Sequence, residues 1–311
     1  MKITKWFSEN LSFGRKYLRR SQRELTTLIN EVTRRMTAVN LWDKTLQSKE
    51  RGVSDEKLCG EEVVVSLTTH GDRIHTVHLA IESIMQQTVL PNRIVLWLSE
   101  EEFRGKTLPV ALRRQLDRGL EIAFCEDLRS YTKLIPSLKR FPGACIVTVD
   151  DDLAYSPDLL EKLILGHTGH PSDICAARVH RIVLDSKGRP VPYVDWDLCV
   201  EDGPEEDSLA FFTGGGGVLF PPGCFPEEVF NRDVFLEICG SADDVWFNAM
   251  RLLSGVKVTK VFSATPKGDF LALPSSQVKP LFARNRRSGN DLAVAAVYGR
   301  YGLFGKLTGK G

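Results

Sequence analysis

The stretch that decides the fold is Cys145-Ile146-Val147-Thr148-Val149, followed directly by Asp150-Asp151-Asp152. Its first five residues are mostly apolar, which is typical of a short strand buried on both faces of a parallel sheet. In an open sheet of parallel strands, ligands bind at the carboxyl ends of the strands. The sequence therefore predicts that the three aspartates lie at a ligand site.

Strands and helices alternate around this stretch. We predict strands at residues 62–67, 93–98 and 120–124, and helices at residues 73–87, 109–117, 131–140 and 157–165. Such alternation favours right-handed βαβ units. The predicted fold class is therefore α/β, with an open, mostly parallel, Rossmann-like sheet flanked by helices.

Two parts of the chain differ in pattern. Residues 1–58 are expected to form a helical extension, and residues 59–311 a globular domain. Within that domain, the regular alternation occupies residues 59–170. Residues 171–311 contain glycine-rich and proline-rich loops, scattered strands and one clear helix; we predict these strands at 174–180, 218–220 and 256–261 and the helix at 244–254.

Composition excludes several classes of protein. Lysine and arginine (41) balance aspartate and glutamate (40), so the net charge offers no general attraction to nucleic acid. The seven cysteines never occur as CxxC and mostly lie in apolar runs, which predicts reduced packing residues in a cytoplasmic protein. A disulfide or zinc role is the alternative. No apolar stretch approaches the roughly 20 residues that span a bilayer, and no signal-peptide core is present.

The first forty residues are markedly basic. Nine lysines and arginines stand there against Glu9, Glu24 and Glu31, with aromatic and leucine side chains between them. Such a segment is compatible with peripheral contact at the anionic inner face of the cell membrane. The alternative is a solvated helix that packs on the main domain or on a second copy of the chain, as in a homo-oligomer.

Three adjacent carboxylates at a strand end call for a cation, because like charges a few ångströms apart raise one another's pKa. Mg²⁺ and Mn²⁺ take oxygen ligands, usually one or two carboxylates with phosphates and water. Alternate residues of an extended segment point the same way, so Asp150 and Asp152 can reach one ion while Asp151 points elsewhere. The alternative is a polar turn that caps the next helix.

A second acidic pair, Asp243-Asp244, opens the predicted helix at 244–254. One of these carboxylates could act as a general base that removes a proton from a hydroxyl group. The alternative is helix capping, because Ser241 with Asp244 three residues later fits a capping box.

From Val63 to about Gly255, the chain resembles the GT-A fold of glycosyltransferases, close to the large family-2-like group. The resemblance rests on the order and spacing of several short motifs. They are Val64-Val65-Ser66-Leu67-Thr68-Thr69, Arg73, Gln86-Gln87-Thr88, Lys133, Val149-Asp150-Asp151-Asp152 and Asp243-Asp244.

The resemblance implies a role for each motif. Residues 59–170 become the nucleotide-sugar-binding half and residues 171–311 the acceptor-side half. The implied donor-binding residues are Thr68, Thr69, Arg73, Lys133, Asp150 and Asp151. The implied metal ligands are Asp152 and Asp150, and the implied base is Asp244, with Asp243 second. The glycine run implies acceptor contacts at Gly215 and Gly216, and Trp246 is a candidate for stacking on the acceptor sugar.

The resemblance also implies an activity. With Mn²⁺ or Mg²⁺, the chain would transfer a sugar from a nucleotide-sugar, such as a UDP-sugar, to a saccharide or lipid-linked acceptor with inversion, in surface polysaccharide synthesis. A haloacid-dehalogenase-type phosphatase shares the Asp-x-Asp pattern, but its motif normally ends the first strand, whereas three predicted strands precede Asp150. A non-catalytic carbohydrate-binding protein of the same fold is the third possibility.

Overall fold

The chain forms alternating strands and helices up to residue 169, as predicted. A computed structural model describes residues 2–203, 207–265, 268–274 and 289–309, with side chains from residue 21 onward. The helices are α1 (Lys2–Gln47), α2 (Val77–Met85), α3 (Glu100–Phe103), α4 (Val110–Leu116), α5 (Ile135–Arg140), α6 (Leu159–Gly169), α7 (Arg232–Cys239), α8 (Asp243–Ser254), α9 (Asn290–Arg300) and α10 (Phe304–Leu307). The strands are β1 (Val63–Thr68), β2 (Arg93–Ser99), β3 (Leu120–Cys125), β4 (Cys145–Thr148), β5 (Leu153–Tyr155), β6 (Ile174–Ala176), β7 (Val179–Arg181), β8 (Ala210–Phe212), β9 (Val218–Phe220), β10 (Val258–Lys260) and β11 (Phe270–Ala272).

Seven of the strands in the described ranges form a central sheet in the order β10-β6-β9-β4-β1-β2-β3. Every neighbouring pair in it is parallel except those of β9, which runs antiparallel to β4 and β6. Strands β5 with β11 and β7 with β8 form two small antiparallel pairs. The predicted α/β class with an open, mostly parallel sheet is confirmed.

The sheet topology brings distant segments to one edge. Strands β1 and β4 are parallel neighbours, with Ser66 opposite Thr148, so Thr69 and the three aspartates follow adjacent carboxyl ends. Strand β9 runs the other way, with Val218 opposite Thr148, so the glycine turn before it meets the same edge. The predicted ligand edge therefore collects polar segments from both halves of the domain.

Three predicted elements are divided in the structure. The helix predicted at 73–87 consists of the 3-10 turn Gly71–His75 followed by α2, and that predicted at 131–140 consists of the 3-10 turn Arg129–Lys133 followed by α5. The strand predicted at 174–180 is divided into β6 and β7, which belong to different sheets. The chain changes sheets there because Ala177 N–H donates to Gly217 O, after which β7 pairs with β8.

The amino-terminal extension is the single long helix α1, which docks through its last turns. Leu41 is buried, the Trp42 ring meets the His78 ring edge-on at 4.7 Å, and Thr45 Oγ1 donates to Glu82 Oε2 at 3.2 Å. Farther from the domain, α1 exposes several large apolar side chains: Leu25, Leu28, Ile29, Val32, Met36 and Val39. No helix in the described part of the chain is apolar over a length that could cross a membrane.

Most of the basic residues on which the membrane interpretation depends precede residue 21, and their side chains lie outside the described residues. Membrane contact and self-association through α1 therefore stay predictions.

Candidate active site

The two acidic segments of the sequence meet on either side of Lys133. Lys133 Nζ lies 3.0 Å from Asp150 Oδ1 and 3.2 Å from Asp243 Oδ2. Burial disfavours the charge of Lys133, but the carboxylates of Asp150, Asp243 and Asp244 outweigh burial and raise the Lys133 pKa well above its ordinary value. A permanently charged ammonium group therefore links the two acidic segments.

A buried hydroxyl network fixes the backbone that carries Lys133. Ser66 Oγ donates to Lys133 O at 2.6 Å and lies 2.7 Å from Ser137 Oγ. Trp97 Nε1 donates to the same Ser137 Oγ at 2.7 Å. Ser66 is the one polar position in the otherwise apolar start of β1, and these contacts explain why a hydroxyl group stands there.

Asp151 points into the protein and is held by two of the predicted donor-binding residues. Thr69 Oγ1 donates to Asp151 Oδ2 at 2.6 Å, and Arg73 NH1 lies 2.7 Å from Asp151 Oδ1. Thr68 Oγ1 donates to the backbone oxygen of Trp97 at 3.0 Å. The structure thus brings Thr68, Thr69 and Arg73 to the predicted edge and gives each a protein partner, with Arg73 oriented by Asp151.

Asp150 and Asp152 differ in their electrostatic surroundings. Burial would raise the pKa of Asp150, but the charge and hydrogen bond of Lys133 outweigh it and lower that pKa. Burial, followed by the charge of Asp150, raises the pKa of Asp152 to about 6, although Arg73 NH2 lies 3.4 Å from Asp152 Oδ2. Asp152 is therefore a largely buried carboxylate close to a second one, and carboxylate oxygens are the ligands that Mg²⁺ and Mn²⁺ prefer.

The glycine turn forms the opposite wall of the carboxylate cluster. Gly214–Gly216 is a buried 3-10 turn, and a Cβ atom on Gly215 would lie 2.7 Å from Asp150 Oδ2. Tyr155 OH joins the two walls, since it accepts from Asp150 N–H at 2.8 Å and donates to Gly215 O at 3.2 Å. Gly216 packs as closely against Arg178, so glycine is required here for close approach.

Asp244 lies at the start of α8 with one oxygen fixed by the glycine turn. Gly214 N–H donates to Asp244 Oδ1 at 2.9 Å. Asn248 Nδ2 donates to the backbone oxygens of Asp244 at 2.8 Å and Phe212 at 2.9 Å, which holds α8 against β8. Burial, followed by the charge of Asp243, raises the pKa of Asp244 to about 7. This carboxyl group can exchange a proton near neutral pH.

The structure does not place Ser241 at the capping position of α8, as the capping-box interpretation requires. The residue that caps the amino end of α8 is Ala242, which makes no side-chain capping bond, and Asp244 lies in the first turn.

The prediction that Trp246 contacts the acceptor sugar is wrong. Trp246 is completely buried, and its Nε1 donates to Val229 O at 3.2 Å. It lies on the apolar side of α8 against the rings of Phe235 and Tyr301. Trp246 is therefore a core residue and cannot stack on an acceptor sugar.

Two further residues lie at the site that the sequence did not indicate. Arg178 packs over the Phe270 ring and donates from Nε to Thr213 Oγ1 at 2.5 Å, beside Asp150 and the glycine turn. Tyr155 bridges the two walls as described above. Neither stands in a recognisable motif: the position of Arg178 beside Asp150 depends on how β6 and β9 pair, and the Tyr155 contact depends on the turn between β4 and β5.

Comparison with solved structures supports the fold. A mannosyltransferase, PcManGT from Pyrobaculum calidifontis, solved in complex with GDP-Man and Mn²⁺, matches 88% of this chain and 74% of its own, with 15% identity and a TM-score of 0.50. TarS 1-349 from S. aureus matches 68% of this chain and 60% of its own, with 16% identity and a TM-score of 0.43. No protein-family model matches the chain, and no curated protein sequence does. The likeness to the mannosyltransferase is one of fold, and it confirms the predicted GT-A class.

Proposed function

We propose that the chain is a divalent-metal-dependent glycosyltransferase that moves a sugar from a nucleotide-sugar donor to an acceptor hydroxyl group. The observation that carries this proposal is the convergence of Asp150–Asp152 and Asp243–Asp244 around Lys133 at the carboxyl edge of a GT-A sheet. A mannosyltransferase of the same fold is recorded with GDP-Man and Mn²⁺, which is compatible with the proposed donor class.

Asp152 and Asp150 are the proposed ligands of Mn²⁺ or Mg²⁺. A bound ion would supply positive charge at the diphosphate of the donor, where negative charge develops as the sugar departs. Arg73 is the proposed ligand of the nucleotide or its phosphates; it is oriented by Asp151, whose other oxygen accepts from Thr69. Lys133 lies beside Asp150 and would add a fixed positive charge on the proposed donor side.

Asp244 is the proposed general base. Its pKa of about 7 lies near working pH, as an efficient base requires, and the Gly214 N–H fixes its carboxylate. Asp243 is instead paired with Lys133, so the two carboxylates have different roles. Asp244 would take the acceptor proton as the hydroxyl oxygen attacks the anomeric carbon, in a single displacement that inverts configuration. Gly215 and Gly216 line the proposed acceptor side.

The identities of the donor, the acceptor and the pathway are proposed from the sequence resemblance. The donor is a UDP-sugar or a GDP-sugar, and the acceptor is a saccharide or a lipid-linked saccharide in surface polysaccharide synthesis. The apolar face of α1 offers a contact with a membrane surface or with a second copy of the chain.

Slow donor hydrolysis gives the first test. With Mn²⁺ and no acceptor, the protein is expected to release UDP or GDP from at least one nucleotide-sugar of a panel, because water can take the place of the acceptor. Chromatography of the nucleotides measures this release. The control Asp233→Asn, which changes an exposed carboxylate on α7, should release nucleotide at the same rate as the unmodified protein. Hydrolysis of phosphate monoesters with no nucleotide release would favour the phosphatase interpretation instead.

A further inference from the structure

Four possible metal ligands converge at the end of the sheet opposite the aspartate cluster. Cys145 is the first residue of β4, whereas Asp150 follows its last. Two other ligands precede β1, and the fourth lies in the last turn of α6. The members of this thiol–imidazole cluster are Cys59, Glu61, Cys145 and His167. Their ligand atoms all lie within 4.8 Å of one another.

Two distances between the ligand atoms fit tetrahedral coordination. Cys145 Sγ lies 3.4 Å from His167 Nε2, which lies 3.7 Å from Glu61 Oε2. A zinc ion with ordinary bond lengths of about 2.0–2.3 Å separates its sulfur, nitrogen and oxygen ligands by about 3.4–3.8 Å. The ligand atoms of Cys145, His167 and Glu61 therefore already have spacings suited to one zinc ion, and Cys59 Sγ lies within 4.8 Å of them.

The burial of the cluster also points to a ligand. Cys145 is completely buried and His167 almost so. Glu61 Oε2 is buried and has no hydrogen-bond partner, although its residue is partly exposed. A buried carboxylate oxygen without a hydrogen bond is costly, and a cation at the centre of the cluster would satisfy it. Cys59 and Glu61 are half-exposed, so solvent reaches one side of the cluster.

We propose that the thiol–imidazole cluster binds one structural zinc ion. Thiolate sulfur with imidazole nitrogen selects zinc over Mg²⁺ or Mn²⁺, and four protein ligands leave no open position for a substrate. Binding releases the thiol protons to solvent and changes no oxidation state. The ion ties the segment before β1 to β4 and to the end of α6.

The proposed site would give two of the cysteines a role beyond packing. Cys59 and Cys145 are brought together by the pairing of Val63 with Cys145 across β1 and β4. The cluster contains no CxxC pair, so the sequence pattern of the cysteines did not indicate it.

Titration of the full chain with Co²⁺ under reducing conditions tests the proposal. Thiolate ligands give tetrahedral Co²⁺ an intense near-ultraviolet charge-transfer band, which the aspartate cluster cannot give because it has no sulfur. We expect the band to saturate at about one equivalent and to disappear when zinc is added. Cys59→Ser leaves one thiol in the cluster and should lose at least half of the band, whereas Cys125→Ser, which changes a half-exposed thiol on β3, should keep it in full.

A second readout keeps the test independent of folding defects. Zinc should raise the melting temperature of the unmodified protein and of Cys125→Ser by more than that of Cys59→Ser, since the aspartate cluster is present in all three proteins. Absence of the band in the folded, unmodified protein would overturn the proposal. An equal band in both variants would also overturn it, as would a Cys59–Cys145 disulfide that on reduction yields no cobalt band.

Discussion

Asp244→Asn is expected to lower the turnover number by about 10²–10⁴-fold, the usual contribution of general base catalysis. The amide keeps the size of the side chain and can still accept from Gly214 N–H, but it cannot take a proton. Binding of the nucleotide should change little, because Asp244 faces the acceptor side in the proposed mechanism. Steady-state kinetics beside calorimetric binding measure both effects, and Asp233→Asn is the matched control.

The pH profile gives the same prediction a second readout. A base works in its ionised form, so kcat/KM should fall as the pH falls through about 7, the value to which burial and Asp243 raise the Asp244 pKa. The charged groups that face Asp244 are Asp243, Lys133 and Asp150. A variant Asp244→Asn with undiminished turnover, or a rate independent of pH from 5 to 8, would contradict the assignment.

Arg118→Met is expected to lower the free energy of unfolding by about 3–5 kcal/mol, because it leaves a buried carboxylate without its cation. Arg118 binds Glu82 with both terminal nitrogens, at 2.7 and 3.1 Å, and donates from Nε to Glu50 O at 2.7 Å. The side chains of Arg118 and Glu82 are 3% and 0% exposed. The pair joins α2 to the segment that follows α1, so its loss should also loosen the extension.

Chemical denaturation followed by circular dichroism measures the effect of Arg118→Met. Arg114→Met, which changes an exposed arginine on α4 four residues before Arg118, is the control and should stay within about 0.5 kcal/mol of the unmodified protein. The double variant Glu82→Gln/Arg118→Met should regain much of the loss, because no buried charge is left unpaired. Equal stability of Arg118→Met and the control would show that the pair contributes nothing.

The central strands could be predicted because each is a near-continuous apolar run. The strand predicted at 62–67 is Val63–Thr68, and that predicted at 93–98 is Arg93–Ser99. The three-residue strands β5, β8 and β11 were not predicted, because their existence depends on pairing with distant segments. Helix α9 was missed although its apolar positions, including Ala293 and Val297, are buried at helical spacing.

The candidate site could be predicted only where a strand pattern points to an edge. Asp150–Asp152 follow a buried strand, and the parallel topology places them beside Thr69. Arg178 gave no such signal, since its proximity to Asp150 is a consequence of sheet pairing. Trp246 shows the opposite error, because its residue type suggested stacking while the helical face on which it lies is buried.

The central claim is that Asp152 is a ligand of a metal-dependent nucleotide site. Isothermal titration of UDP, and then of GDP, with and without Mn²⁺, tests it most directly, with Asp152→Ala beside Asp233→Ala as the matched control. We expect one nucleotide to bind only when Mn²⁺ is present, and we expect that binding to disappear in Asp152→Ala and to persist in Asp233→Ala. Failure of both nucleotides to bind the folded protein with Mn²⁺ present would contradict the account.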